Sequence, residues 1–286
     1  MNNTPTVAPM RNQRGMSLIE LLVAMTIGLI LTVVIANLFV GTKQTYRTQD
    51  DLSRMQENLR FAFQVIGRVT RQAGYRADWH RTMEVVFGGL AVAPIDGSNA
   101  TGANASDTLI VRFQGSGAGT SSVNCLASNS CGGADGRVLD CLGNRVDRQM
   151  GPAPSPYAAT FNVTFAENWL RVRTGGANGG TALFCSIDRG NTWVEIVPDI
   201  ENMQVLFGEK TGPTAVDRYL SAGTVGLDMT RVLNVRIALL HRSANLTAGA
   251  TDTRTYNLVG TTVGPFNDQR IRTVATSNFV VRNRTQ

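Results

Sequence analysis

The sequence predicts an α+β fold, in which one long N-terminal helix packs on a head of antiparallel β-sheet. Three observations carry this prediction. Residues 16–40 form an almost uninterrupted apolar run, residues 52–73 place apolar side chains at helical spacing, and the chain beyond about Val85 alternates apolar and polar residues between polar loops. With 286 residues, 43% of them hydrophobic, the chain is long enough to bury a substantial core.

The apolar run at residues 16–40 is a candidate transmembrane helix. At a rise of about 1.5 Å per residue it would extend about 37 Å, which exceeds the hydrocarbon core of about 30 Å. A secretory signal peptide is the alternative, but the run is long for one, and VIANLFVGTKQ at its end offers only a poor small-residue cleavage site. We therefore expect the segment to stay attached to the chain.

Residues 41–78 predict an amphipathic continuation of the same helix. No proline occurs between Pro9 and Pro94, so a single helix from about Met16 to Gly74 is permitted. Charged residues lie opposite an apolar face whose members recur every three or four residues. That face comprises Leu52, Met55, Leu59, Ala62, Ile66, Val69 and Ala73.

Residues 79–286 predict a β-rich head built of hairpins. The alternation is clear at residues 108–113, 161–165 and 233–239. Further candidate strands are residues 170–172, 182–185, 192–197, 204–207, 256–259 and 279–282. Segments rich in glycine, serine and asparagine, which we expect to be surface loops, are residues 96–106, 115–136 and 174–180. The absence of βαβ alternation favours antiparallel sheet.

Four cysteines indicate disulfides in an oxidising compartment. Their spacing matches no CxxC zinc or redox motif, and four buried reduced thiols are the alternative. Of the three possible connectivities we favour Cys125 with Cys131, which would close a loop, and Cys141 with Cys185, which would tie two predicted strands. The cysteines place the bulk of the chain outside the cytoplasm, whereas the basic residues that flank the apolar run do not settle its orientation.

The segment RGMSLIELLVAM, residues 14–25, resembles the class III signal of type IV prepilins. It has a short basic leader that ends in glycine, a hydrophobic residue after the cleavage site, and a glutamate at the fifth position of the remaining chain. The resemblance implies a leader at residues 1–15, cleavage by prepilin peptidase between Gly15 and Met16, N-methylation of Met16, and a role for Glu20 in assembly. Many pilins have phenylalanine where this chain has Met16, and family members tolerate that substitution.

Glu20 is the single charge within the apolar run, and an ionised carboxylate in hydrocarbon costs at least about 2.5 kcal/mol. No lysine or arginine lies three or four residues from it on its own chain. The N-terminal ammonium that cleavage creates on a neighbouring subunit is a suitable partner, which would make Glu20 a register device for assembly. The alternative is that Glu20 lies at the cytoplasmic headgroup boundary and reaches water.

Several short segments in the head point to one group within this family: LDCLG, ALFCSI, DIENMQVLFGE, RVLNVRIALLHRS and FVVRNR. Together they resemble the PilW group of minor pilins, which is related to the J-type minor pseudopilin of type II secretion. The resemblance implies a pilin-like fold, no enzymatic activity, and a place in the minor pilin complex that initiates a type IV pilus. The implied partners are prepilin peptidase, other minor pilins and the major pilin.

The same resemblance implies a single-pass protein of the inner membrane, with a cytoplasmic N-terminus and a periplasmic head, that later enters the pilus at the cell surface. Two other functions stay open. One is a minor pseudopilin of a type II secretion system, and the other is a membrane-anchored periplasmic binding domain that never polymerises.

No sequence pattern predicts enzymatic or cofactor chemistry. His80 and His241 lie far apart with no HExxH motif, and GSGAG at residues 115–119 lacks the following GK[ST] of a phosphate-binding loop. We expect no metal and no cofactor. The net charge is +6 and the pI about 9.5, but the arginines are scattered along the strands without a basic run, so we expect no nucleic-acid partner.

Overall fold

A helix of 55 residues, α1 (Leu18–Gln72), precedes a region of β-strands. The computed structural model describes residues 15–76, 92–116, 136–146, 165–213, 215–247 and 251–284. The chain divides into two compact units, residues 1–49 and 50–286, and α1 runs continuously from the first unit into the second. The predicted single long helix is therefore confirmed.

The end of α1 is defined by a glycine and by a contact from the far end of the chain. Gly74 adopts a φ of 72°, a left-handed conformation that glycine takes without a steric penalty. Asn283 donates its side-chain amide to the carbonyl oxygens of Arg71 and Ala73, at 3.3 and 3.1 Å. These bonds satisfy carbonyls that the helix itself leaves without partners.

The strands follow α1 in the order β1 (Ile95–Ser98), β2 (Thr108–Phe113), β3 (Ala166–Thr174), β4 (Thr181–Ser186), β5 (Val194–Pro198), β6 (Ile200–Glu209), β7 (Arg218–Ser221), β8 (Val232–Arg242), β9 (Tyr256–Leu258), β10 (Thr261–Val263) and β11 (Arg272–Val280). They form a five-stranded sheet of order β1-β2-β3-β4-β5, a four-stranded sheet of order β11-β8-β6-β7, and a β9-β10 hairpin. Every strand pair is antiparallel, which confirms the predicted class.

One hydrophobic cluster joins the second half of α1 to both sheets. Its contribution from α1 runs from Leu59 to Val69, mostly along the predicted apolar face, and Ala73 follows just after the helix. Its largest fully buried members on the strands include Ile95, Leu109, Phe113, Leu170, Leu183, Phe207, Ile237 and Leu239. The apolar face of α1 and the apolar residues of the strands thus meet in a single core, and strands such as β2 and β6 are buried at nearly every position.

The structure differs from the sequence prediction at one helix position. Leu52, which the spacing assigned to the buried face, has 36% of its surface exposed, and the preceding residue Asp51 is buried instead. The buried carboxylate accepts a hydrogen bond from Asn245 Nδ2 at 2.9 Å. A partner from a distant loop therefore makes burial of the charged residue tolerable, which spacing along the helix does not reveal.

The structure also differs at several strands. Residues 96–98, expected to begin a loop, belong to β1, and β11 begins at Arg272, well before the predicted strand at residues 279–282. Polar residues dominate both segments, so their strand character comes from pairing with β2 and β8 and not from alternation. The predicted strand at residues 161–165 lies mostly outside the described residues, and only Phe165 precedes β3.

Candidate assembly surface

The predicted processing site lies immediately before α1. Gly15 and Met16 are exposed, with 70% of the Met16 surface accessible. Ser17 stands at the helix N-cap, since its carbonyl accepts the first helical hydrogen bond from Leu21 N–H at 3.2 Å. Gly15 and Met16, between which the predicted cleavage falls, are therefore accessible in the isolated chain.

Glu20 has a partner on its own chain. The backbone N–H of Ser17 donates to Glu20 Oε2 at 3.2 Å, which is the reciprocal half of a capping box in which residue N3 reaches back to the N-cap. The partner is a backbone N–H and not a lysine or arginine side chain, so the absence of a nearby cation in the sequence did not reveal it. The Ser-x-x-Glu pattern in SLIE was a signal that could have predicted it.

Apart from Glu20, Thr26, Thr32 and Asn37, the first half of α1 has apolar residues or glycine on all sides of the helix. Every residue from 16 to 40 is exposed in the isolated chain, and α1 is long and apolar enough by length and composition to cross a membrane. An ordinary surface helix of a soluble protein carries an apolar stripe on one side only. An all-round apolar helix requires lipid or other helices around it.

Threonine hydroxyls do not interrupt this apolar surface. Thr26 donates to Val23 O, Thr32 to Gly28 O and Thr42 to Leu38 O, each at 2.8 Å. The hydroxyl protons are thus used within the helix, and no bond to water is needed to satisfy them. The threonines are therefore compatible with a hydrocarbon environment or with close helix packing.

The second half of α1 is fixed to β11 by a glycine and an aromatic ring. A Cβ added at Gly67 would stand 2.6 Å from Phe279 Cε1, so only glycine permits this approach. Phe63, one helical turn earlier, has its ring centroid 6.2 Å from that of Phe279. This close fit sets the position of α1 along β11.

A buried histidine adds a polar contact between α1 and β8. Asn58 Nδ2 lies 3.2 Å from His241 Nε2. Burial lowers the pKa of His241 to about 4 and outweighs the opposite effect of nearby Asp199, which itself pairs with Arg242 at 3.2 Å. The imidazole is therefore neutral at neutral pH, as suits a hydrogen bond within a protein interior.

The cysteines expected to pair are only partly within the described residues. Cys141 and Cys185 form a disulfide, with their Cα atoms 6.3 Å apart, which joins residues 136–146 to β4. Cys125 and Cys131 lie outside the described residues, as does His80. Within the described parts of the chain, no group of three or more His, Cys, Asp or Glu residues is suited to hold a metal ion.

The comparisons with known proteins find two family matches. Residues 10–36 match the family described as the prokaryotic N-terminal methylation motif, a range that includes Gly15, Met16 and Glu20. Residues 171–283 match the family described as Type IV Pilus-assembly protein W, which covers the chain from within β3 to beyond β11. The two matches thus fall on the predicted processing site and on most of the head.

A Type IV-like pilin from Thermus thermophilus is similar among the solved structures. The match has a TM-score of 0.40 and 14% sequence identity, and it covers 82% of this chain and 100% of that chain. The comparison with curated proteins gave no match.

Proposed function

We propose that this chain is a minor pilin that takes part in the initiation or assembly of a type IV pilus. The match of residues 171–283 to the Type IV Pilus-assembly protein W family and of residues 10–36 to the N-terminal methylation motif supports this proposal. The observation that carries this proposal is the first half of α1, which is exposed and apolar on every side. A helix of this kind can lie in a bilayer before assembly and can then pack among other helices in a fibre.

In this proposal, prepilin peptidase removes residues 1–15 and the new N-terminus, Met16, is N-methylated. The cleavage leaves a cationic amine one residue before Ser17, whose backbone N–H donates to Glu20 Oε2. The protein is held in the inner membrane by residues 16–40, with residues 41–78 continuing the helix into a periplasmic head formed by residues 79–286. Its partners are other minor pilins and the major pilin.

Glu20 is proposed to set the register of assembly. Ser17 N–H donates to Glu20 Oε2, and among the described residues the other carboxylate oxygen, Oε1, accepts no hydrogen bond. That oxygen can accept from the N-terminal ammonium of a neighbouring subunit, since both charged groups must lose water in a packed helical bundle and each offsets the other's cost. The intrachain bond orients the carboxylate and leaves its charge uncompensated.

The head is proposed to serve as a structural and recognition element. The type IV pilin-like fold is built around one large core, and its buried polar groups are largely engaged with one another, as in the pairs Arg112–Glu167 and Arg272–Glu201 at 2.6 Å. Such pairs fix a shape and do not present free acids or bases to a substrate. Contacts with other heads fit this arrangement better than catalysis does.

The processing step is tested by intact mass measurement and N-terminal sequencing of the protein from membranes, with and without an active prepilin peptidase. We expect a terminus that begins with methylated Met16 when the peptidase is active and an intact leader when it is not. An intact leader in both strains, or cleavage after residue 40, would contradict the proposal and favour an anchored or secreted domain.

The phenotype of a deletion strain distinguishes a role in a type IV pilus from a role in a secretion pseudopilus. We expect loss of twitching and of surface fibres, with exoprotein release unchanged. Loss of exoprotein release with normal fibres would assign the protein to a type II secretion system.

A further inference from the structure

Two arginines of β3 have no acidic partner among the residues that the structure describes. Arg171 and Arg173 are two residues apart and so share one face of the strand. The ion pairs among the described residues are made by other arginines, such as Arg112, Arg189 and Arg242, and none involves these two. Arg171 Nε is also buried without a hydrogen-bond partner there. Unneutralised, partly buried guanidinium groups are unusual and indicate a ligand or a partner.

Trp193 brings the two guanidinium groups together. The Arg171 Cζ atom lies 4.6 Å and the Arg173 Cζ atom 5.0 Å from the centroid of its ring. Cation–π attraction to a tryptophan face holds guanidinium groups in place and leaves their N–H donors available. The result is a cluster of Arg171, Arg173 and Trp193, called here the Arg–Trp cluster.

The turn between β4 and β5 holds Trp193 in position. Trp193 Nε1 donates to Gly190 O at 2.8 Å. Asp188 closes the same turn, where it accepts hydrogen bonds from Ser186 Oγ, Thr192 N and Thr192 Oγ1. These bonds lower the pKa of Asp188 to about 2. Because the ring is fixed before any ligand arrives, less conformational entropy is lost on binding.

The electrostatics of the cluster favour an incoming anion. Burial lowers the pKa of Arg171, and the charge of Arg173 lowers it further. Glu195 lies in the same cross-strand row, two strands from Arg171, but its carboxylate accepts from Ala177 N–H at 2.7 Å. A carboxylate between the two guanidinium groups would relieve their repulsion and would receive bidentate hydrogen bonds.

We propose that the Arg–Trp cluster is a docking site for a carboxylate-bearing segment of a partner protein. Charge complementarity favours one or two carboxylates over a polyanion, because Arg112 and Arg189 are already paired with two acids, Asp96 and Glu167, and so are not available to a longer run of negative charge. Tryptophan and arginine are also the residues that most often dominate protein–protein binding energy. Within the proposed function the partner is another pilin head, but the site is defined without reference to assembly.

The test measures binding of a rhodamine-labelled peptide with a single glutamate and an amidated C-terminus, Ser-Gly-Glu-Gly-Ser, to the full chain in nonionic detergent, by fluorescence anisotropy. We expect saturable binding that Arg171→Ala and Arg173→Ala each weaken by about tenfold. Arg236→Ala is the matched control, since Arg236 stacks on Tyr219 at 4.3 Å at a different place in the head, and it should bind like the wild type. The melting temperature of each variant is measured to check that it folds like the wild type. If one variant misfolds, the other still tests the proposal.

Three results would overturn the proposal. The first is no saturable binding of the peptide, and the second is an equal loss of binding in Arg236→Ala. The third is preferential binding of oligothymidylate or of inorganic phosphate, which would assign the cluster to a nucleic acid or to a free oxyanion. The assay requires no fibre, so a failure here leaves the minor pilin proposal standing, and a failure of assembly leaves this result intact.

Discussion

Ser17 donates its backbone N–H to the carboxylate of Glu20 across the first turn of α1, at 3.2 Å. A capping interaction of this kind stabilises a helix start at any depth, whether or not another subunit is present. In the proposed function, the same carboxylate also pairs with the N-terminal ammonium of a neighbouring subunit. The proposal thus gives Glu20 two separable roles: it accepts a hydrogen bond from Ser17, as the structure shows, and it would act as an ionic partner in assembly.

Two substitutions at Glu20 distinguish these roles. Glutamine keeps an acceptor for Ser17 N–H but carries no charge, whereas alanine removes both. If the ionic role governs assembly, Glu20→Gln and Glu20→Ala will both be processed and inserted in membranes. The amount of each variant in sheared fibres will nevertheless be lower than that of the wild type by more than about tenfold. Immunoblots of membrane and fibre fractions measure this. Normal incorporation of Glu20→Gln would show that capping alone accounts for the residue.

The contact between Gly67 and Phe279 predicts a strong effect from a small change. Gly67→Ala places a methyl group 2.6 Å from the ring, and the overpacking outweighs the gain in helix propensity, for a net loss of about 1–2 kcal/mol in unfolding free energy. Gly41→Ala is the matched control, because nothing lies within 4 Å of its added Cβ. Chemical denaturation in detergent measures both, and equal behaviour of the two variants would contradict the assigned packing.

The spacing of apolar residues in the sequence predicted buried residues correctly where burial follows the repeat of the helix or the strand. The three- and four-residue spacing placed Met55, Leu59 and Ile66 on the buried face of α1, and alternation placed Leu109 and Phe113 inside β2. These residues bury themselves by helical or strand geometry alone, so sequence suffices to find them.

Features that depend on residues far apart in the chain were not predicted from the sequence. Asp51 is buried because Asn245 bonds to it, and β11 is a strand because β8 pairs with it. Arg171 and Trp193 meet only through the pairing of β3, β4 and β5, so the arginines looked scattered along the chain. Register between strands is set by the whole core, which a local pattern does not contain.

The disulfide between Cys141 and Cys185 predicts a redox-dependent stability. It closes a chain segment with a sequence separation of 44, and cross-linking a loop of that size restricts the unfolded chain enough to contribute about 3–4 kcal/mol. We expect the double variant with serine at both positions to unfold at a correspondingly lower denaturant concentration.

The reducing agent supplies the control for that experiment. Reduction should lower the stability of the wild type by a similar amount, while the double variant should change less, because it lacks this bridge. A double variant as stable as the wild type would show that the head does not depend on the bridge.

His241 predicts a decline in stability under mildly acidic conditions. Burial lowers its pKa to about 4, from the ordinary value of 6.5 that the unfolded chain retains. Between these two pH values the unfolded chain binds a proton that the folded chain excludes, so the free energy of unfolding decreases as the pH falls from 6.5 to 4. The shift corresponds to a loss on the order of 3 kcal/mol, which is complete below pH 4.

His241→Gln isolates this contribution, because glutamine does not titrate and still offers an acceptor to Asn58, which lies 3.2 Å from the imidazole. We expect the variant to lose less stability than the wild type between pH 6.5 and 4, and the difference between the two curves to follow the titration of one group. Urea denaturation of the full chain in detergent across that range provides both curves. Parallel curves would mean that the histidine is accessible to protons in the folded head, and the buried contact between Asn58 on α1 and His241 on β8 would then be wrong.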